Sequence, residues 1–174
     1  MLFQKILDIF SKNNNIKTLF LVDILYMKDL NAIYDFKIFF FIIRQLDSIL
    51  KTNIKELIKE ELKRNIYINI KNTHADVFEI YLLDDLSIEE IVIVKNIIYE
   101  SIVSNNFKLL DNYGTINIDI TIGCAKSEDQ HIKIYAEKAL YNAKLNFIHY
   151  MYYDSFLYKN ESVNENLLDV LNYS

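Results

Sequence analysis

Hydrophobic positions along this chain fall into blocks of two different periods. Residues 1–10 place Leu2, Phe3, Ile6, Ile9 and Phe10 at helical spacing, and the polar run Ser11-Lys12-Asn13-Asn14-Asn15 ends that block. Thr18-Leu19-Phe20-Leu21-Val22 is apolar up to Asp23, the pattern of a central strand covered on both faces. Residues 31 to about 50 read as one very apolar helix. Residues 54–64 read as a charged one, with Lys55/Lys59/Lys63 and Glu56/Glu60 recurring every four positions. Two alternating runs, 66–70 and 77–82, are expected strands, and the short link 71–76 makes them a hairpin. Ser87 and Glu90 form a capping-box pattern opening a helix over 87–104, with Ile88, Ile91, Val92, Ile98 and Ile102 expected on its buried face. Residues 115–125 alternate as a strand. Residues 131–146 read as a helix with the smooth stripe Ala136, Ala139, Leu140 and Ala143, and 148–153 as a last strand. Finally Ser162-Val163-Asn164-Glu165 repeats the capping pattern ahead of Leu167, Leu168 and Leu171 on a short amphipathic helix.

The resulting order is α-β-α-α-β-β-α-β-α-β. Its fold class is α/β (α+β): a βαββαβ core whose mixed sheet carries flanking helices, since parallel neighbours need helical crossovers and the hairpin supplies an antiparallel pair. At 174 residues the chain fits one domain. Composition narrows the chemistry. With Gly 2 and Pro 0, no glycine-rich phosphate loop can be written. The 28 Ile, 19 Asn, 17 Lys and 13 Tyr use A/T-rich codons, so genome bias accounts for most of the glycine deficit. Cys124 stands alone, which excludes a disulfide framework and suits a small core residue. The longest apolar run, 38–43, is far too short to span a bilayer, and no signal peptide precedes the first element, so a cytoplasmic location is expected. A net charge of −5 without a Lys/Arg stripe argues against nucleic acid as a partner.

Three blocks resemble the GGDEF domain of diguanylate cyclases. Leu21-Val22-Asp23-Ile24-Leu25-Tyr26-Met27-Lys28-Asp29-Leu30-Asn31 tracks the family segment DIDxFKxxND. His74-Ala75-Asp76-Val77-Phe78 falls where the signature GGDEF hairpin belongs. Thr121-Ile122-Gly123-Cys124-Ala125 and Ala136-Glu137-Lys138-Ala139-Leu140-Tyr141-Asn142-Ala143-Lys144 match SIGVA…ADxALYxAK at the expected separation, and this block is the most specific. The resemblance covers residues 1 to about 154. It implies a degenerate GGDEF domain over 1–155 that lacks the family's leading LTGLxNR segment. Residues 156–174 are then a connector helix like those that lead into an EAL-type domain.

In that family two GTP molecules, held by facing domains, condense into cyclic di-GMP, a phosphoryl transfer in which metal ions bridge phosphates and neutralise developing charge. The resemblance therefore asks which carboxylates and base-reading groups are kept. Asp23 matches the first metal-binding Asp; a strand-end carboxylate bonding nearby backbone amides is the alternative. Leu25 stands where a second Asp belongs. Asp76 keeps the central acid of the signature, a vestigial catalytic position, but Val77 replaces the Glu that completes the metal site. His74 and Ala75 replace the two glycines that let phosphates approach the backbone, so a different turn is expected, with Asn72 as its left-handed residue. Asn31 matches the base-reading Asn, although it would also serve as an N-cap. Phe40 falls where the guanine-reading Asp belongs, and Asp35-Phe36 replaces Gly-His. Lys144 matches the phosphate-contacting Lys, although a Lys in the last turn also suits the helix dipole. The RxxD product site is absent near Asn65 and Ile68.

These departures imply an inactive regulatory or dimerisation module of a cyclic di-GMP signalling protein, with an EAL or sensor domain alongside and a possible homodimer. Two alternatives stay open: a GTP-binding sensor without turnover, and a weakly active cyclase using Asp23, Asp76 and Lys144. Mg or Mn enters only if residual GTP binding exists. Phe36, Phe39, Phe40 and Phe41 turn the ligand wall into packing surface or a partner interface.

Overall fold

A computed structural model of the protein describes residues 16–34, 36–74, 76–109, 114–126 and 131–154. The expected helices at 1–10 and 162–171 lie outside them. The central strand β1 (Thr18–Ile24) leads into α1 (Met27–Ile33), α2 (Phe36–Ile49), one π-helical turn (Leu50–Ile54) and α3 (Lys55–Leu62). The hairpin of β2 (Ile68–His74) and β3 (Val77–Leu82) follows, then α4 (Ile88–Val103) and a small ribbon of β4 (Phe107–Lys108) with β5 (Thr115–Ile116). The described chain closes with β6 (Ile120–Lys126), α5 (Ile132–Leu145) and β7 (Tyr150–Asp154). No helix among the described residues is long and apolar enough to cross a membrane.

The main sheet has the order β2-β3-β1-β6-β7. β1 runs antiparallel to both β3 and β6, β2 antiparallel to β3, and β7 parallel to β6. This is the mixed sheet expected from the βαββαβ order. Every residue of β1 is buried, as a continuous apolar run requires. Alternation then sorts the side chains between two layers. Phe20, Val22, Phe78, Ile80, Ile122 and Cys124 face a core shared with α2, α3 and α4, while Leu19, Leu21 and Ala125 face Ile132, Ala136 and Leu140 of α5.

One glycine fixes how α5 sits. A Cβ added to Gly123 would lie 2.6 Å from the Ala136 carbonyl oxygen and closer still to the Leu140 amide nitrogen, so the helix backbone rests directly on β6. Ala136, Ala139 and Ala143 keep the rest of that approach clear, and all three are fully buried.

Several expected elements are redrawn. The helix expected from Asn31 is two: α1 starts at Met27, after Tyr26 in the left-handed region (φ 58°), and ends at the extended Tyr34. Asn31 is therefore an exposed interior residue of α1 and caps nothing. The polar run near Lys51 does not break the chain, because the π turn carries α2 into α3. Ile42, Leu46, Leu50, Ile54 and Ile58 are all buried at strict four-residue spacing, wider than 3.6, and one under-wound turn absorbs the drift. The hairpin is tighter than expected: β2 runs to His74, with a register shift between Asn72 and His74. Asn72 lies inside the strand, donating its amide to the Val77 carbonyl at 3.2 Å, and the described left-handed non-glycine residues are Tyr26, Lys63 and Phe147. The capping box at Ser87 and Glu90 is present. The buried face of α4 is Ile91, Val94, Ile98 and Ile102, whereas Ile88 and Val92 face solvent. The strand expected over 115–125 splits because Asp119 Oδ1 accepts the amide of Ile120 at 2.8 Å, a local bond that ends the ladder there.

A Gly123→Ala substitution should destabilise the fold by about 2–3 kcal/mol, the range of overpacking a closed interface. Denaturant unfolding of both proteins measures it, and an unchanged midpoint would show that α5 shifts freely.

Candidate functional site

Where β1 ends, the chain opens a cleft of about 610 Å³ lined by Asp23, Lys28, Asp76, Asp119, Lys144 and His149 among others. Backbone bonds stitch its floor. The Ile24 amide donates to the Asp76 carbonyl at 3.2 Å, and the Leu25 amide to the Asp119 carbonyl at 2.9 Å. Asp23 points to the α5 side of the sheet, because it alternates with Val22 and Ile24, which face the other core. Its register partners are Val77 on β3 and Thr121 on β6, so neither neighbour across the ladder is a carboxylate.

The Asp23 side chain is 7% exposed. Its partner is the Lys144 ammonium, 2.6 Å from Oδ1, delivered by the last turn of α5. Burial pushes the Asp23 carboxyl above its ordinary range, the Lys144 hydrogen bond and charge pull it back, and Asp76 adds a smaller upward push. Neither sequence alternative for Asp23 included this partner, the ammonium of Lys144. Lys144 does occupy the last helical turn, where its partly exposed ammonium pairs with Asp23.

Asp76 is half-buried at the hairpin turn beside Asp23, and Val77 is half-buried with it. Phe78 is fully buried in the core. The side chain of His74 and the whole of Ala75 lie outside the described residues. Asn31 and Phe40 line no part of the cleft. Phe40 is half-exposed, packed edge-on against Phe36 at 4.6 Å and against Phe39 at 5.4 Å, while Phe39 is buried. The aromatic run therefore divides between core and surface.

Three residues escaped the sequence reading. Asp119 and His149 line the cleft together, with His149 Nδ1 3.4 Å from Asp119 Oδ1 and 3.2 Å from the Ile120 carbonyl oxygen. They come from the starts of β6 and β7, and only the parallel pairing of those strands brings them close. Glu79 is the third. It lies two residues beyond Val77, hence on the same face, but beneath α5 and 2% exposed. Burial alone would raise its carboxyl, yet hydrogen bonds from Lys133, Tyr81 and Thr73, together with the Lys133 charge, hold it below the ordinary range. The Lys133 ammonium is 2.7 Å from Oε1. A glutamate inside an apolar strand carries no sign of its partner on a helix more than 50 residues away.

A divalent cation needs several hard oxygen ligands converging on one point. Among the described residues no three His, Cys, Asp or Glu side chains converge in this way. With Asp23 paired to an ammonium and a valine across from it, the residues present do not fit such an ion.

No family model matches the chain, and no curated protein matches it. Solved structures do. The GGDEF domain of DgcB from Caulobacter crescentus, in complex with c-di-GMP, superposes with a TM-score of 0.63 at 15% identity over 79% of this chain and 76% of that one. The FimX GGDEF domain from Pseudomonas aeruginosa gives 0.63 at 14% identity over 87% and 92%. The fold is that of a GGDEF domain. The S helix-GGDEF-EAL part of LapD from Vibrio cholerae, bound to c-di-GMP, gives 0.59 at 18% identity over 81% of this chain but only 31% of that one. The GGDEF fold places the cleft at the end of β1, beside the hairpin that holds Asp76.

The ion pair predicts an asymmetry. Lys144→Met leaves a buried carboxylate without its partner and should cost roughly 2–3 kcal/mol at pH 7. Asp23→Asn leaves only a partly exposed ammonium, which water can solvate, and should cost much less. In Lys144→Met the folded pKa of Asp23 rises further above its unfolded value, so the folded state binds more protons and stability falls as pH rises through that window. Unfolding curves between pH 4 and 7 check this, with the deficit of Lys144→Met shrinking toward the acid end.

Proposed function

We propose that this GGDEF-fold domain forms no cyclic di-GMP and acts as a regulatory or dimerisation module in a cytoplasmic cyclic di-GMP signalling protein. Residues 1–155 would form the domain and 156–174 the connector toward a neighbouring EAL or sensor domain. One observation carries the reading: Asp23 is paired with Lys144, and Val77 faces it where the family signature supplies a glutamate. Valine has no lone pair, so a cation there loses a ligand and a negative charge together. Phosphoryl transfer between two nucleotides depends on metal ions clamping the phosphates, and this cleft is short of what that clamp requires. His74 and Ala75 in the degenerate signature point the same way, since a Cβ at each position blocks close approach of a phosphate to the backbone. The loss of Asp at Phe40 removes a polar partner for guanine, which a base-reading site tolerates poorly.

A second reading has its own support. The cleft is open and holds two lysines, Lys28 and Lys144, at its rim, so a GTP-binding sensor without turnover needs fewer groups than a cyclase. In this reading Lys144 contacts the nucleotide within the cleft, and Asn31, which lines no part of it, would meet only a portion that extends along α1.

Calorimetry and thermal shift with GTP and cyclic di-GMP, with and without magnesium or manganese, separate these readings when run beside a product assay. The regulatory reading expects no cyclic di-GMP at high protein concentration and no melting shift with GTP. A metal-independent shift with GTP would favour the sensor. Turnover that disappears in Asp76→Ala would overturn both.

A further inference from the structure

Two aromatic side chains stand at the lips of the cleft in a backbone conformation that suits neither. Tyr26, at the turn from β1 into α1, has φ 58°, and Phe147, at the turn from α5 into β7, has φ 54°. Both line the cleft, and they are 69% and 94% exposed. The Phe147 turn is a helix ending in which glycine usually stands. There the Ile148 amide donates to the Ala143 carbonyl at 3.0 Å and the Phe147 amide to the Lys144 carbonyl at 3.2 Å. A left-handed backbone is strained for a bulky residue, and after glycine it is Asn that adopts it at least cost. The chain has 19 Asn beside its Gly 2, so a scarcity of glycine does not by itself put an aromatic at each lip. Ring packing does not account for them either. Phe36 packs on Phe40 and Tyr135 on Tyr153, whereas among the described residues Tyr26 and Phe147 have no ring partner.

We propose that the cleft binds a flat, uncharged heteroaromatic ligand of the nucleoside kind, its ring held between Tyr26 and Phe147. The inference rests on the regulatory reading and deepens it, giving the module an effector site. Strained residues persist where a site uses them, and a ring on a fixed backbone is a stacking platform that needs no support from the core. Stacking engages the π face of a base, whichever base it is, so the site needs none of the base-reading groups that the chain lacks. The volume of about 610 Å³ falls in the range of small-molecule sites, roughly 300–1,000 Å³. Charge decides for a neutral ligand. Among the described lining residues, Asp23, Asp29, Asp76 and Asp119 outnumber Lys28 and Lys144, and a protonated His149 leaves the balance negative still. A triphosphate that enters without cations meets this excess; a nucleoside does not. Lys28 and Asp76 have no ion-pair partner among the described residues, which leaves both able to bond the polar edge of the ligand.

Amide shift mapping on the full chain, with adenosine as the probe and metal-free GTP as its charged counterpart, tests the proposal. Adenosine at millimolar concentrations should shift the amides of residues 24–29 and 143–149, and GTP should leave them in place. Phe147→Gly and Tyr26→Asn put residues suited to the left-handed backbone at the two lips, and each should weaken adenosine binding at least tenfold. Phe147→Gly should at the same time raise the melting temperature by roughly 2 °C, because it relieves strain at a side chain that packs on little. Lost binding in a more stable protein separates a ligand contact from a structural one. Absence of adenosine shifts, or shifts that survive both substitutions, would overturn the proposal. So would a lower melting temperature in Phe147→Gly, which makes the ring a packing residue, or GTP shifts as large as those of adenosine. Cyclic di-GMP formation, read in the separate product assay, bears on the regulatory reading and leaves the adenosine result to stand or fall on its own.

Discussion

The charges in the cleft depend on how closely α5 can lie against β6. Gly123 sets that distance, because any side chain there would collide with the Ala136 carbonyl and the backbone at Leu140. The alanines at 136, 139 and 143 extend the same low contour along the helix. From that seat the last turn of α5 delivers Lys144 to Asp23, and its first turn delivers Lys133 to Glu79. Two buried carboxylates are thus neutralised by one helix. Buried ion pairs contribute little net stability when compared with apolar packing, but breaking one is costly. The two pairs therefore add to the contacts that hold α5 in its seat.

The same geometry divides the acids of the hairpin into two sets. Asp76 stays at the turn, on the cleft. Glu79, two positions further along, faces the same side but lies under α5, where Lys133 and Tyr81 hold its charge. Strand β3 thus carries an acid on the right face, displaced inward by one pleat, and Val77 occupies the position nearer the cleft. A carboxylate under a helix serves packing and orientation.

Much of this was legible in the sequence. Continuous apolar runs identified the buried centre of the sheet, the Ser87 and Glu90 spacing identified a helix start, and the small-residue stripe identified the face of α5. Each of these rests on local spacing that tertiary contacts do not alter. The failures have a common source in missing punctuation. With Pro 0 and Gly 2, nothing marked the break at Tyr34 or the separation of β5 from β6, and left-handed backbone fell on Tyr26, Lys63 and Phe147 as well as on Gly114, but not on Asn72. The π turn was equally hidden, being visible only as a buried stripe spaced by four. In the cleft, Asp23, Asp76 and Lys144 could be found because they match a family segment. Asp119, His149 and Glu79 could not, since their partners are set by strand pairing and by α5 rather than by neighbours in the chain.

The central claim is that Lys144 holds the place of a cation beside Asp23, and that Val77 withholds the ligand a metal would need. Manganese titration followed by electron paramagnetic resonance tests it most directly, because bound and free Mn²⁺ give distinct signals without any need for turnover. The account predicts that the wild-type chain leaves Mn²⁺ free at millimolar concentrations, and that Val77→Glu creates measurable binding. A tight site in the wild-type chain that disappears in Asp23→Asn would contradict it.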